Sequence, residues 1–134
     1  SSNKNSVLIT GDLSFLHDIG SLTYLKLNNI PLTIILINNN GGGIFNMLPI
    51  ANNSKVFEPY FLTPHNLILG DIVAGFGGEH IIINNWDDLY EQLKNQHSQS
   101  NFKVLEIFTN STSSALIRNT YKTKIINELK KHFS

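Results

Sequence analysis

The 134-residue sequence contains no cysteine, which excludes a disulfide framework and any thiolate metal site. It also lacks net charge. Ten basic and ten acidic residues cancel, so no net field recruits nucleic acid or an anionic membrane, and neither partner is expected. Arginine is represented by Arg118 alone. Long apolar runs are missing too. The longest, Leu32 to Ile37, is far short of the roughly 20 residues that span a bilayer. Residues 1–6 are polar and contain no signal-peptide core. What remains is an ordinary globular balance, 41% apolar and 15% charged, on a chain long enough for one domain with one core. The lysines at 122, 124, 130 and 131 read as the solvated face of a last helix, whose C-terminus suits cations.

Four short apolar runs read as strands: Val7–Thr10, Leu32–Ile37, His80–Ile83 and Phe102–Phe108. The first reads as a buried strand, and the second has no alternation, which predicts burial on both faces and a parallel sheet. Helical spacing follows between them. Leu13 to Asn28 carries Leu13, Leu16, Ile19, Gly20, Tyr24 and Leu27 on one side, and Pro31 forbids its continuation. Further helices are expected over His65–Gly75, Trp86–Gln96 and Ser113–Phe133. Ile44–Leu48 suggests one helical turn, and residues 50–64 a long irregular loop. Strands alternate with helices and no hairpin signal intervenes. The fold class is therefore α/β, a parallel sheet with helices on both faces, built as one domain over residues 1–134.

Chemistry is concentrated after the first two strands, which end in Gly11-Asp12 and in Asn38-Asn-Asn-Gly-Gly-Gly43. In open parallel sheets, ligands bind at the carboxyl ends of strands. If the two strands are neighbours, both turns open on one edge. Asp12 offers a carboxylate, Asn39 an amide oxygen and the glycine loop backbone carbonyls, an all-oxygen set suited to Mg²⁺. Gly11 allows close approach of a phosphate, and the helix starting near Leu13 points free N–H groups at the same place. Two ordinary strand-to-helix turns without a ligand would also fit these features.

Gly-Asp, a helix, a strand and Asn-Asn, with Asp12 and Asn39 27 residues apart, resembles the thiamine-diphosphate (ThDP) motif. Leu13 replaces the glycine that usually follows Gly-Asp. Gly11-Asp-Leu-Ser-Phe-Leu-His-Asp18, Pro31-Leu-Thr-Ile34, Asn38 to Phe45, Leu48-Pro49, Phe57-Glu58 and Thr63-Pro-His65 are together similar to the 2-succinyl-5-enolpyruvyl-6-hydroxy-3-cyclohexene-1-carboxylate synthase family. That resemblance implies the C-terminal, diphosphate-binding domain of a larger enzyme that acts in menaquinone or phylloquinone biosynthesis. Such an enzyme decarboxylates 2-oxoglutarate and joins the succinyl unit to isochorismate, works as a homodimer or tetramer, and resides in the bacterial cytoplasm or plastid stroma. The resemblance further implies Mg²⁺ or Mn²⁺ held by Asp12, Asn39 and the Gly41 carbonyl. Gly11, Leu13, Ser14 and Gly42 would meet the diphosphate, and Ile44, Phe45 and Leu48 would wall the thiazolium and substrate pocket. The family's catalytic glutamate and substrate-binding arginines lie upstream of this region, so no catalytic residue is assigned within the chain. One departure stands out: Leu67-Ile68-Leu69 replaces the family's usual Leu-Asp-Phe.

Other candidates carry less. His17 and Asp18 are adjacent and so do not face each other on a helix. His65 is expected to cap or orient its loop, Trp86 to pack at a helix start, and Glu106 to be paired or at a sheet edge without chemistry. Two other functions remain to be separated: an acetolactate-synthase-type ThDP enzyme, and a non-catalytic flavodoxin-like binding module.

Overall fold

A computed structural model of the chain describes residues 6–94 and 102–133. They form two compact units, one drawn from residues 6–38, 65–94 and 102–108 and the other from residues 39–64 and 109–133.

The first unit holds the sheet. Strands β1 (Ser6–Gly11), β2 (Leu32–Asn38), β3 (Glu79–Ile82) and β4 (Lys103–Phe108) lie in the order β1-β2-β4-β3, and every pairing is parallel. Between them run α1 (Asp12–His17), α2 (Ser21–Leu27), α4 (Leu69–Gly75) and α5 (Trp86–Lys94), while α3 (Ser54–Phe57) belongs to the second unit. Alternation along a strand puts Ile34, Leu36 and Val104 on one face. There they join Phe15 of α1, Leu22 of α2, Leu69 and Val73 of α4, and Phe102 just before β4 in a buried cluster. Burying a side chain of this size contributes about 1.5–3 kcal/mol. Ile35 and Leu105 are buried on the opposite face. Lys103 shares that face with Leu105, and its Nζ donates to the Gln92 carbonyl at 2.6 Å, which holds α5 there. Helices therefore cover both faces.

Four expectations need correction in this unit. The segment 13–28 is not one helix but two, because Asp18 and Gly20 interrupt it. Ser21 N–H returns to the Asp18 carbonyl at 2.9 Å, a tight turn at a residue of poor helix propensity. Strand β1 is not buried: Val7, Leu8 and Ile9 are 45%, 45% and 68% exposed. It is the terminal strand of the sheet, a position that a short apolar run does not reveal. The helix expected from His65 starts only at Leu69, since Asn66 is left-handed at φ 50° and Ile68 is extended. Trp86 starts α5 but is 84% exposed, bordering a cavity of about 410 Å³ with Ile83, Leu89 and Ile107. The last residues of the helix expected over 86–96 lie outside the described residues.

The second unit shows why residues 50–64 are not an irregular loop. A 3-10 turn at Gly43–Met47, a second at Pro49–Asn52, α3 and a π turn at Glu58–Leu62 follow one another. Aromatic rings hold them together. Phe57 stacks on Phe61 at a centroid distance of 6.1 Å, and Phe61 meets Phe45 edge-on at 6.1 Å. Helix α6 (Ser111–Phe133) packs on the Gly43–Met47 turn. Asn110 Oδ1 accepts the Ser113 N–H at 2.8 Å and caps its start. Ile117, Tyr121, Ile125 and Leu129 recur every fourth residue along it, each more than half exposed.

Candidate functional site

Gly11 closes β1 in register with Ile37 of β2, so the two neighbouring strands end at one edge. Asp12 stands immediately beyond that edge and is 2% exposed. Such a buried carboxylate persists only where donors meet it. Leu13 N–H donates to Oδ1 at 2.8 Å, and His65 Nε2 lies 3.3 Å from Oδ2. The space in front of Gly11 is open, and a Cβ built there would meet no atom within 4 Å. Ser14, His17 and Asp18 are exposed, and no contact joins His17 to Asp18 as a pair.

In the second unit, Asn39 follows the last residue of β2 directly and begins the glycine turn. Asn40 and Gly41 are left-handed, with φ of 61° and 132°. Gly43 N–H donates to the Gly41 carbonyl at 2.9 Å, and Gly42 N–H to the Leu62 carbonyl at 2.6 Å. All three glycines are buried, and each is required for a different reason. A Cβ on Gly41 would strike the Leu62 carbonyl, one on Gly42 the Phe61 carbonyl, and one on Gly43 the Asn39 carboxamide and Ser111. The Glu58–Leu62 turn thus presses on the glycine run, and the Asn39 side chain lies over Gly43. Ile44, Phe45 and Leu48 follow at 63%, 39% and 44% exposure. They are apolar groups on a turn that leaves them open to a ligand.

The structure therefore gathers the expected residues in two groups. Gly11, Asp12, Leu13 and Ser14 stand at the sheet edge, and Asn39, Gly41, Gly42, Ile44, Phe45 and Leu48 form the glycine turn and its helical continuation. Sequence reasoning gave too little weight to two residues. His65 touches Asp12, and its position after Thr63-Pro64 was the available signal. Glu106 is 2% exposed and joins His80 Nε2 at 2.7 Å and Asn38 Nδ2 at 2.6 Å. It is indeed paired, and an acid inside the apolar run Val104-Leu-Glu-Ile-Phe108 was its signal. Among the described residues, no cluster of three His, Asp or Glu side chains could hold a metal, and no helix is long and apolar enough to cross a membrane.

A Gly-Asp edge on a parallel sheet, followed by an Asn-rich glycine turn, defines a class. Residues 1–107 match the family described as "Thiamine pyrophosphate enzyme, C-terminal TPP binding domain", and the chain belongs to it. The flavodoxin-like alternative is thereby set aside. Among curated proteins the chain is similar to 2-succinyl-5-enolpyruvyl-6-hydroxy-3-cyclohexene-1-carboxylate synthases. It is 47% identical over 113 residues to that of Crocosphaera subtropica, covering 84% of this chain and 19% of the relative. It is 49% identical over 106 residues to that of Synechocystis, covering 79% and 18%, and 34% identical over 125 residues to that of Geobacillus kaustophilus, covering 93% and 22%. The chain thus spans about a fifth of the length of these relatives. The fold matches benzoylformate decarboxylase from Polynucleobacter necessarius with a TM-score of 0.68 at 16% identity, over 81% of this chain and 20% of that one. It also matches a thiamine diphosphate-dependent 4-hydroxybenzoylformate decarboxylase of Rhodococcus jostii with a TM-score of 0.64 at 21% identity, over 82% and 20%.

Proposed function

We propose that this chain supplies the diphosphate- and metal-binding part of a ThDP-dependent transferase that decarboxylates 2-oxoglutarate and adds the succinyl unit to isochorismate. The observation that carries this reading is Asp12 itself, a buried carboxylate where β1 ends beside β2. It occurs in a chain whose relatives bear the synthase name at up to 49% identity. Those names also favour the synthase over an acetolactate-type enzyme.

The donor set fits the group. Asp12, Asn39 and the Gly41 carbonyl offer only oxygens, the preference of Mg²⁺ and Mn²⁺, and open space in front of Gly11 suits a phosphate. In this reading Asp12, Asn39 and Gly41 hold the metal, and Gly11, Leu13, Ser14 and Gly42 meet the diphosphate. When bound, the cofactor supplies an electron sink for the loss of CO₂. Ile44, Phe45 and Leu48 contribute an apolar wall that excludes water from the reacting centre. The proton-handling carboxylate and the groups that hold the substrates' own carboxylates come from other parts of the enzyme, and a homodimer or tetramer is its working form. The bacterial cytoplasm or plastid stroma is the proposed compartment.

The test is Asp12→Ala in the full-length protein that contains these residues. Mg²⁺-dependent ThDP binding, followed by calorimetry, is expected to vanish while the far-UV spectrum is kept. Unchanged binding refutes the assignment.

A further inference from the structure

We propose that His65 is a positioning residue that fixes the metal-binding carboxylate of Asp12, an inference that rests on the metal role proposed for Asp12. The geometry has three parts. His65 Nδ1 accepts the Leu67 N–H at 3.0 Å. An imidazole nitrogen that accepts carries no proton, so the ring proton resides on Nε2. Nε2 in turn lies 3.3 Å from Asp12 Oδ2, with side chains 9% and 3% exposed. The backbone holds the ring in place. Pro64 has a fixed φ, and Asn66 sits in the left-handed region at φ 50°, which turns Leu67 N–H back onto the ring. A non-glycine residue at such a φ is kept where surrounding contacts demand it.

The consequence concerns the Cβ–Cγ torsion of Asp12. That terminal torsion is broad and soft. Leu13 N–H restrains Oδ1 at 2.8 Å and His65 restrains Oδ2, so the plane of the carboxylate is set before any cation arrives. Partners that orient a ligating group commonly govern metal affinity by 10–100-fold. Nothing in this arrangement requires His65 to touch substrate or cofactor. It acts through Asp12.

The experiment uses the full-length protein that contains these residues, with Mn²⁺ as the spin probe at saturating ThDP. Wild type, Asp12→Ala, His65→Ala and His65→Gln are titrated by electron paramagnetic resonance, and the metal-free unfolding midpoint of each is measured. His65→Ala is expected to weaken Mn²⁺ binding by about 10–100-fold, with ThDP uptake restored at correspondingly higher Mn²⁺ by a protein that remains folded without metal. His65→Gln, whose side-chain amide can place an N–H near the Nε2 position, is expected to stay near wild type. Asp12→Ala is expected to lose binding that added Mn²⁺ does not restore. If His65→Ala binds Mn²⁺ like wild type while Asp12→Ala does not, the positioning role is overturned and the metal role of Asp12 stands. The positioning role also falls if glutamine does no better than alanine, or if His65→Ala is already unfolded without metal at the temperature of the titration. If wild type shows no Mn²⁺-dependent ThDP uptake, or Asp12→Ala is silent, the underlying reading fails and takes the inference with it.

Discussion

Replacing Glu106 with alanine removes the centre of a polar chain that crosses the core face from β3 to β2. Its carboxylate takes Nδ2 of Asn38 at 2.6 Å and Nε2 of His80 at 2.7 Å, both short contacts. Hydrogen bonds to a charged group contribute about 1.5–3 kcal/mol each, so loss of two sets an upper range of roughly 3–6 kcal/mol. Part of that is recovered. The His80 side chain is 17% exposed and can turn to water, whereas Asn38 is only 4% exposed and cannot do so as readily. A net loss of about 2–5 kcal/mol is expected, a large fraction of the 5–15 kcal/mol that holds a domain together. Equilibrium urea unfolding reads it directly. With a slope of about 1.5 kcal/mol/M, the midpoint falls by roughly 1–3 M. Glu106→Gln is the control. Its amide oxygen accepts from Asn38, its N–H₂ donates to His80 once that ring changes tautomer, and less than about 1 kcal/mol is expected to be lost. A shift of under about 0.5 kcal/mol for Glu106→Ala, the size seen at featureless surface sites, would refute the reasoning.

A Cβ on Gly78 would fall on the ring of Phe102, which is fully buried, so Gly78→Ala is expected to cost about 1–3 kcal/mol by overpacking, measured as a fall in thermal midpoint. Asp12→Ala, by contrast, leaves the apolar cluster untouched and is expected to show its effect in metal-dependent cofactor binding. The purified 134-residue chain, given ThDP, Mg²⁺, 2-oxoglutarate and isochorismate, is expected to release no CO₂ above the cofactor-only background. Turnover would mean that the carboxylate and cationic groups proposed to come from other parts of the enzyme lie among these residues. Addition of a separately expressed upstream portion is expected to restore activity.

Much of this protein was legible in order along the chain. The apolar runs at 32–37 and 102–108 became central strands, and the helices before Pro31 and at Gly75 stop where they were expected to. Asp12 and Asn39 were recognisable because residue types and their spacing are properties of sequence alone. The same holds for the glycine turn, although the reason for each glycine was not visible. Only the folded chain brings the Glu58–Leu62 turn against Gly41 and Gly42. The break at Asp18–Gly20 was hidden because a helical stripe continues through it. Neither the exposure of β1 nor the His80–Glu106–Asn38 chain could be read in advance. A residue's burial and its partners depend on which distant segment comes to lie beside it. Local periodicity records which way a side chain points from its own element, and it carries no information about what arrives from the other side. His65 illustrates the difference best, since 53 residues separate it from Asp12 and only the tertiary structure puts its ring on that carboxylate.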